Sequence, residues 1–224
     1  MGMEESMEDE RFKITRGNGI TYSVRQNRDR FFYPNEWKQF YNKLSENQRI
    51  TFATLINTGA RINEVRHIKV EDIDFDRNTI VLKVTKVKAA KGEKNSRPRT
   101  ISVSSQFIKG LWTLKKEKGL KAEDYIPILS TPAANICMKK TLMELGIKDW
   151  YMFAVHNVRK THGNWLKAMG IDGAEICIRL GHDYDTFIRS YGSPDIFSGQ
   201  DLQDMRSILG DLYYAQSQWG KRNR

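Results

Sequence analysis

Five residues have the types and order needed to move a phosphoryl group: Arg61, His156, Arg159, His182 and Tyr191. Their local contexts are TGARINE (Thr58 to Glu64), HNVR (His156 to Arg159) and LGH (Leu180 to His182), with Tyr191 nine residues further on. Transesterification at a phosphodiester needs a nucleophile, an acid for the leaving oxygen and positive charge around the non-bridging oxygens. Arginine suits the last task, because its planar fork donates two parallel bonds and never loses its charge. A tyrosine hydroxyl can attack and conserve the bond energy as a phosphotyrosine ester. With an ordinary pKa of about 10, the phenol needs a neighbouring base and cations to activate it. His156 and Arg159 are three apart, so a helix would direct both from one face. Arg61 falls at the start of a helix, whose backbone N–H groups would also favour an anion.

Taken singly, each residue has a plainer reading. Arg61 could pair with Glu64 or Asp74 on the surface, His156 could cap a helix, and His182 could sit at a helix C-terminus favoured by the dipole. Tyr191 is one of nine tyrosines. His162, one turn past Arg159, reads as packing. The joint order and spacing (95 residues from Arg61 to His156, three to Arg159, 23 to His182 and nine to Tyr191) weigh against five unrelated roles.

The surrounding elements are mostly helical. Asn35 suits an N-cap for a helix carrying Trp37, Phe40, Tyr41 and Leu44 at i, i+3, i+4 and i+7. A second helix runs from about Asn47 to Gly59, a C′ glycine, and a third begins near Arg61. Residues 79–87 and 100–103 are rich in β-branched residues and predict a hairpin. Its connection, residues 88–98, is too long for a tight turn and should protrude. From Lys83 to Arg99, both included, stand seven basic residues and one acid. Further helices are expected over 104–118, 131–145, 155–168, 174–180 and 200–218. The expected fold class is therefore mainly α with a small antiparallel sheet, an α+β domain over 33–224, preceded by a weakly structured arm over 1–32 in which residues 20–24 form a strand or a contacting arm.

Charge supports a polyanionic partner. Lys plus Arg exceed Asp plus Glu by 37 − 27 = +10, and residues 1–10 hold five acids and no base, leaving +15 on the remainder. Each phosphate neutralised would release counterions. No apolar run has the length of a bilayer-spanning helix, and the acidic N-terminus is no signal peptide. Cys137 and Cys177 lie in apolar helical patterns without metal-ligand spacing, which fits a reduced, cytoplasmic setting. The four histidines also lack metal-type spacing, so neither a metal nor a cofactor is expected.

The three motifs and the late tyrosine together resemble the tyrosine recombinase, or integrase, family, over roughly Tyr33 to Ser193. That resemblance implies a site-specific recombinase acting on double-stranded DNA, without metal or ATP, as a DNA-bound homo-oligomer, a tetramer in the assembled complex. Arg61 and Arg159 would clamp the scissile phosphate and His182 would hydrogen-bond it. His156 would help deprotonate Tyr191, which would attack to leave a 3′-phosphotyrosine and a free 5′-hydroxyl, and Glu64 would buttress the Arg61 helix. The family's general acid is a hairpin lysine; Lys91 is the choice here, with Lys86, Lys88 and Lys94 as competitors. Members also carry a core-binding domain ahead of the catalytic one, where this chain has about 32 residues, and a C-terminal helix that docks on a neighbouring protomer, with docking on its own domain as the monomeric alternative. A type IB topoisomerase and a silent DNA-binding regulator remain the competing classes. The glycine beside Tyr191 predicts a mobile nucleophile.

Overall fold

The computed structural model describes residues 13–15, 21–23, 30–83, 98–181, 184 and 196–213. Lys91, His182 and Tyr191 lie outside the described residues, as do Lys86, Lys88 and Lys94. Two short strands, β1 (Lys13–Thr15) and β2 (Thr21–Ser23), pair antiparallel with Ile14 opposite Tyr22. Strand β2 falls inside the stretch 20–24, where a strand or a contacting arm was expected, and β1 adds a partner strand to it.

The packed domain takes in Arg30 and Phe32, both of which fall in the arm on the sequence boundary at 32/33. Phe32 is fully buried, 4.5 Å from Phe153 and 5.2 Å from Trp37 between ring centroids. Its backbone N–H donates to the Thr161 hydroxyl at 2.9 Å and its carbonyl accepts from the Trp165 indole at 3.0 Å. Arg30 is 2% exposed, held between Glu36 at 2.6 Å and Asp149 at 2.5 Å, with its guanidinium 4.5 Å from the Phe153 ring centre. Burial opposes its charge, but the two carboxylates outweigh burial and raise its pKa.

Helix α1 (Pro34–Lys43) starts at Pro34, with Tyr33 as N-cap, not Asn35. Proline fits the first helical position because its missing N–H would be unpaired there anyway. Trp37 and Phe40 face inward, and Phe40 meets Phe52 of α2 (Glu46–Thr58) edge-on at 4.9 Å. After α2 comes α3 (Ile62–Val65), a single turn. A three-stranded antiparallel sheet follows in the order β3 (Ile73–Asp74), β4 (Thr79–Leu82), β5 (Arg99–Ser102). Ile80 pairs with Ile101 and both are buried, so the alternation read from the sequence holds for β4 and β5. Asp74 turns the chain between β3 and β4 by accepting the N–H groups of Asp76 and Arg77 at 3.1 and 2.9 Å.

The remaining helices are α4 (Ser105–Lys118), α5 (Thr131–Glu144), α6 (His156–Ala168), α7 (Gly173–Leu180) and α8 (Gly199–Leu209). Ser104, Ser130, Asp172 and Ser198 cap α4, α5, α7 and α8 through side-chain oxygens, replacing part of the missing intrahelical bonding. Helix α8 ends at Leu209, inside the 200–218 expected, because Gly210 adopts φ 67°, ψ −147°, outside any helical region, and residues 214–218 lie outside the described residues. A 3-10 turn over Gly210–Tyr213 continues, anchored where Asp211 accepts from the Ser105 N–H at 2.8 Å and from its hydroxyl at 2.6 Å. At the centre lies α6: residues 157–166 are all buried, although Asn157, Arg159, Lys160, Thr161, His162 and Asn164 are polar. Such a helix is tolerable only when its polar groups find partners inside the fold.

Candidate active site

The site is built around Gly59. Helix α2 terminates there in the left-handed conformation (φ 63°), with the Gly59 N–H donating to the Leu55 carbonyl at 2.9 Å. A Cβ at this position would lie 2.4 Å from His162 Cδ2 and 2.8 Å from Leu180 Cδ2. Glycine is therefore required twice, by the backbone and by the close approach of α6 and α7. Two residues on, Arg61 turns the chain into α3 with its side chain 38% exposed.

Glu64 ties this turn down. One carboxylate oxygen accepts the Arg61 backbone N–H at 2.7 Å, and Arg61 Nη1 stands 3.6 Å from the other. The helix that Arg61 opens is one turn long, and the Arg61 N–H, one of the donors expected to favour an anion there, already serves Glu64. Arg61 pairs with Glu64 and not with Asp74, which shapes the β3–β4 turn.

Arg159, one turn into α6, is 1% exposed. Its Nη1 donates to the Gly59 carbonyl at 2.8 Å and its Nη2 to the Leu180 carbonyl. Each carbonyl lies at a helix C-terminus, where the partial negative charge favours a cation. One guanidinium thus pins the ends of α2 and α7 together. His156 occupies the first position of the same helix and is exposed. The two residues follow the expected i, i+3 spacing, but they differ sharply in access to solvent.

Three further groups join this network, of which the sequence had signalled only the packing of His162. Arg99, at the start of β5, donates Nη1 and Nη2 to the two Glu64 oxygens at 2.8 and 3.0 Å and Nε to the Arg179 carbonyl at 2.8 Å. His162 is fully buried; its Nδ1 lies 2.7 Å from the Ile56 carbonyl and its Nε2 accepts from Arg179 Nε at 2.9 Å. Arg179 also reaches the Ser102 and Asn57 carbonyls at 2.6 and 2.7 Å. Only one tautomer fits: Nδ1–H donates and Nε2 accepts. Burial first, then the charges of Arg179 and Arg159, hold the His162 pKa well below its ordinary value, so the ring is neutral. Burial alone would raise the Glu64 carboxyl. Arg99, the Arg61 N–H and the charge of Arg159 more than offset that and lower it, so it is ionised.

Arg61, Glu64, Arg99, Arg159, His162 and Arg179 therefore form one connected cluster where α2, α3, β5, α6 and α7 meet. Four of its six members are cations, against one carboxylate. Such an excess suits an added anion, because Arg61 remains reachable while its neighbours are held inside. Among the described residues no group of three or more His, Cys, Asp and Glu is placed to hold a metal ion. A cavity of about 620 Å³, walled by Trp37, Ile50, Phe107 and Ile208 among others, opens between α1, α2, α4 and α8. Among the described candidate residues, Arg61, His156 and Arg159 do not line it.

The sequence pattern of the phage integrase family matches residues 30–195, more than half of the chain. The chain belongs to the phage integrase family, the tyrosine recombinases. In fold it is similar to the XerA recombinase (TM-score 0.59, 17% identity, covering 80% of this chain and 62% of that one). It is also similar to the Tn1549 transposon integrase, solved with transposon right end DNA (TM-score 0.58, 15% identity, 86% and 69%). The integrase from mycobacterium phage Brujita is a further neighbour (TM-score 0.53, 15% identity, 84% and 59%). No curated protein matches the sequence. This chain spans 62% of the length of the XerA structure. Among the described residues no helix is long and apolar enough to cross a membrane.

Proposed function

We propose that this chain cleaves and rejoins double-stranded DNA as a site-specific recombinase or integrase. The observation that carries the reading is the cationic cluster around Gly59 in a chain of the phage integrase family. Arg61 presents the reachable fork to the scissile phosphate, and Arg159 adds buried charge beside it while bracing the two helix ends. Charge developing on the non-bridging oxygens is then met by donors already in place, which is where such sites gain most of their rate. Tyr191 attacks phosphorus, the P–O bond to the 5′-oxygen breaks, and the tyrosine is left esterified to the 3′-phosphate. His156, exposed at the start of α6, takes the phenolic proton. His182 hydrogen-bonds the phosphate, and Lys91, or one of Lys86, Lys88 and Lys94, protonates the leaving 5′-oxygen. Rejoining is the reverse, so no metal, ATP or cofactor enters the balance of the reaction.

Solved proteins of similar fold include XerH bound to its difH substrate and the DNA-bound Tn1549 integrase, which supports duplex DNA as the partner. A homotetramer on DNA and a cytoplasmic, DNA-associated location complete the reading. Strand exchange between two labelled duplexes in EDTA tests it. Recombinant strands are the expected product. Supercoil relaxation without exchange would instead indicate topoisomerase action, and loss of all activity in EDTA would indicate a metal-dependent enzyme.

A further inference from the structure

Arg99 has no place in the reaction as set out above, yet the fold invests heavily in it. It is 10% exposed, and all three of its nitrogens are used: two on Glu64 and one on the Arg179 carbonyl. Its guanidinium also lies flat against the end of α7, where a Cβ at Gly181 would sit 3.4 Å from both Cζ and Nη1. Gly181 itself is left-handed, at φ 63°, and closes that helix.

These contacts join three parts of the candidate site. Through Glu64, Arg99 reaches the backbone N–H of Arg61 and thus the entry to α3. Through the Arg179 carbonyl and Gly181, it reaches the end of α7, one residue short of Leu180, whose carbonyl takes an Arg159 N–H. Arg179 in turn holds His162. Removing Arg99 would leave Glu64, 3% exposed, without its two-pronged guanidinium partner, holding the Arg61 backbone N–H at 2.7 Å and the Arg61 side chain at 3.6 Å. Two centres that must bind the same phosphate, Arg61 and Arg159, would then lose a side-chain bridge between the Glu64-held turn of one and the helix end held by the other.

From this geometry we infer that Arg99 is a positioning residue: it fixes Glu64 and the end of α7 so that Arg61 and Arg159 meet one phosphate together. The inference rests on the recombinase reading. Lysine at this position keeps the charge but not the fork, so it can bond one Glu64 oxygen and must leave the Arg179 carbonyl. Misplacement of a clamp by about 1 Å can cost about 100-fold in rate.

The test is single-turnover cleavage at saturating DNA by the full chain and by Arg99→Lys. Each is assayed on a nicked duplex with an ordinary scissile phosphate and on one with a methylphosphonate there. A methylphosphonate has one fewer negative charge, so its cleavage leans less on the arginine pair. Arg99→Lys is expected to cleave the phosphate about 100-fold more slowly, with DNA affinity little changed and the folded state retained at a melting temperature lowered by several degrees, and the deficit should narrow at least about tenfold on the methylphosphonate. A merely structural lesion would slow both substrates equally. Should Arg99→Lys fail to fold, the double variant Arg99→Met/Glu64→Gln removes both partners of the buried pair together and should show the same narrowing. Equal deficits on the two substrates, or a phosphate rate within about threefold of the parent, would overturn the role. If the parent chain itself forms no covalent adduct, the recombinase reading fails and this inference falls with it.

Discussion

Gly59→Ala should damage this protein more than any other glycine-to-alanine change at a helix end, and the structure supplies its own control. Gly119 ends α4 with φ 62°, almost the backbone of Gly59 at φ 63°, but nothing stands within 4 Å of a Cβ placed there. Alanine in the left-handed region costs about 1–2 kcal/mol at either site. At Gly59 the new methyl also meets His162 Cδ2 at 2.4 Å and Leu180 Cδ2 at 2.8 Å. Neither neighbour can yield easily, since both are fully buried and His162 is bonded at both ring nitrogens. Overpacking of this kind adds about 1–3 kcal/mol. The expected losses are thus about 1–2 kcal/mol for Gly119→Ala and about 2–5 kcal/mol for Gly59→Ala. Denaturant midpoints give the two values directly, and thermal melting should follow at about 2–4 °C per kcal/mol for a chain of this size. Equal destabilisation by the two substitutions would refute the claim that α6 and α7 close on Gly59.

Further outcomes follow from the same contacts. Arg61→Ala should cost at most about 1 kcal/mol of stability, since its half-exposed side chain makes one loose contact with Glu64 at 3.6 Å, but slow cleavage at least about 100-fold. Arg159→Ala should lose both cleavage and several kcal/mol of stability, about 1–3 kcal/mol for each buried carbonyl left without its donor. Arg30→Met should cost about 3–5 kcal/mol, because Glu36 and Asp149 lose their shared cation, and urea unfolding measures it. Two pH effects should separate. The folded state lowers the His162 pKa well below its ordinary value of 6.5, so only the unfolded chain takes up that proton and stability falls as pH drops below about 6.5. The lowered Glu64 pKa adds stability that is present above its ordinary value of 4.5 and is lost as pH falls through the folded value. His162→Gln should flatten the first limb and Glu64→Gln the second; unchanged limbs would count against either assignment.

Helices and their ends were legible wherever apolar spacing met a glycine. Trp37 and Phe40 marked α1, and Gly59, Gly119 and Gly181 closed α2, α4 and α7 because a left-handed residue is a local requirement. Strand β3 escaped notice, since two residues show no alternation. The early end of α8 was also hidden. Its apolar stripe continues to Leu212, but Gly210 packs with its Cβ position 2.8 Å from the Ser104 side chain, a tertiary contact. The candidate site divides the same way. Arg61, Glu64 and Arg159 stood out through their motifs. Arg99 and Arg179 did not, because their partners lie 35 and 17 residues away and no local pattern links them. Burial of Arg159 was likewise invisible, because it depends on carbonyls at the ends of two other helices.

The central claim concerns Tyr191, and trapping it on DNA tests that claim most directly. A duplex nicked near the scissile phosphate releases the short 5′-hydroxyl strand and should leave the protein covalently attached. Digestion and mass spectrometry should then place a nucleotide on the peptide containing Tyr191, joined through a 3′-phosphate, in buffer containing EDTA. Tyr191→Phe should give no adduct. An adduct of undiminished yield in that variant, or a nucleotide mapped to another residue of the parent chain, would contradict the account.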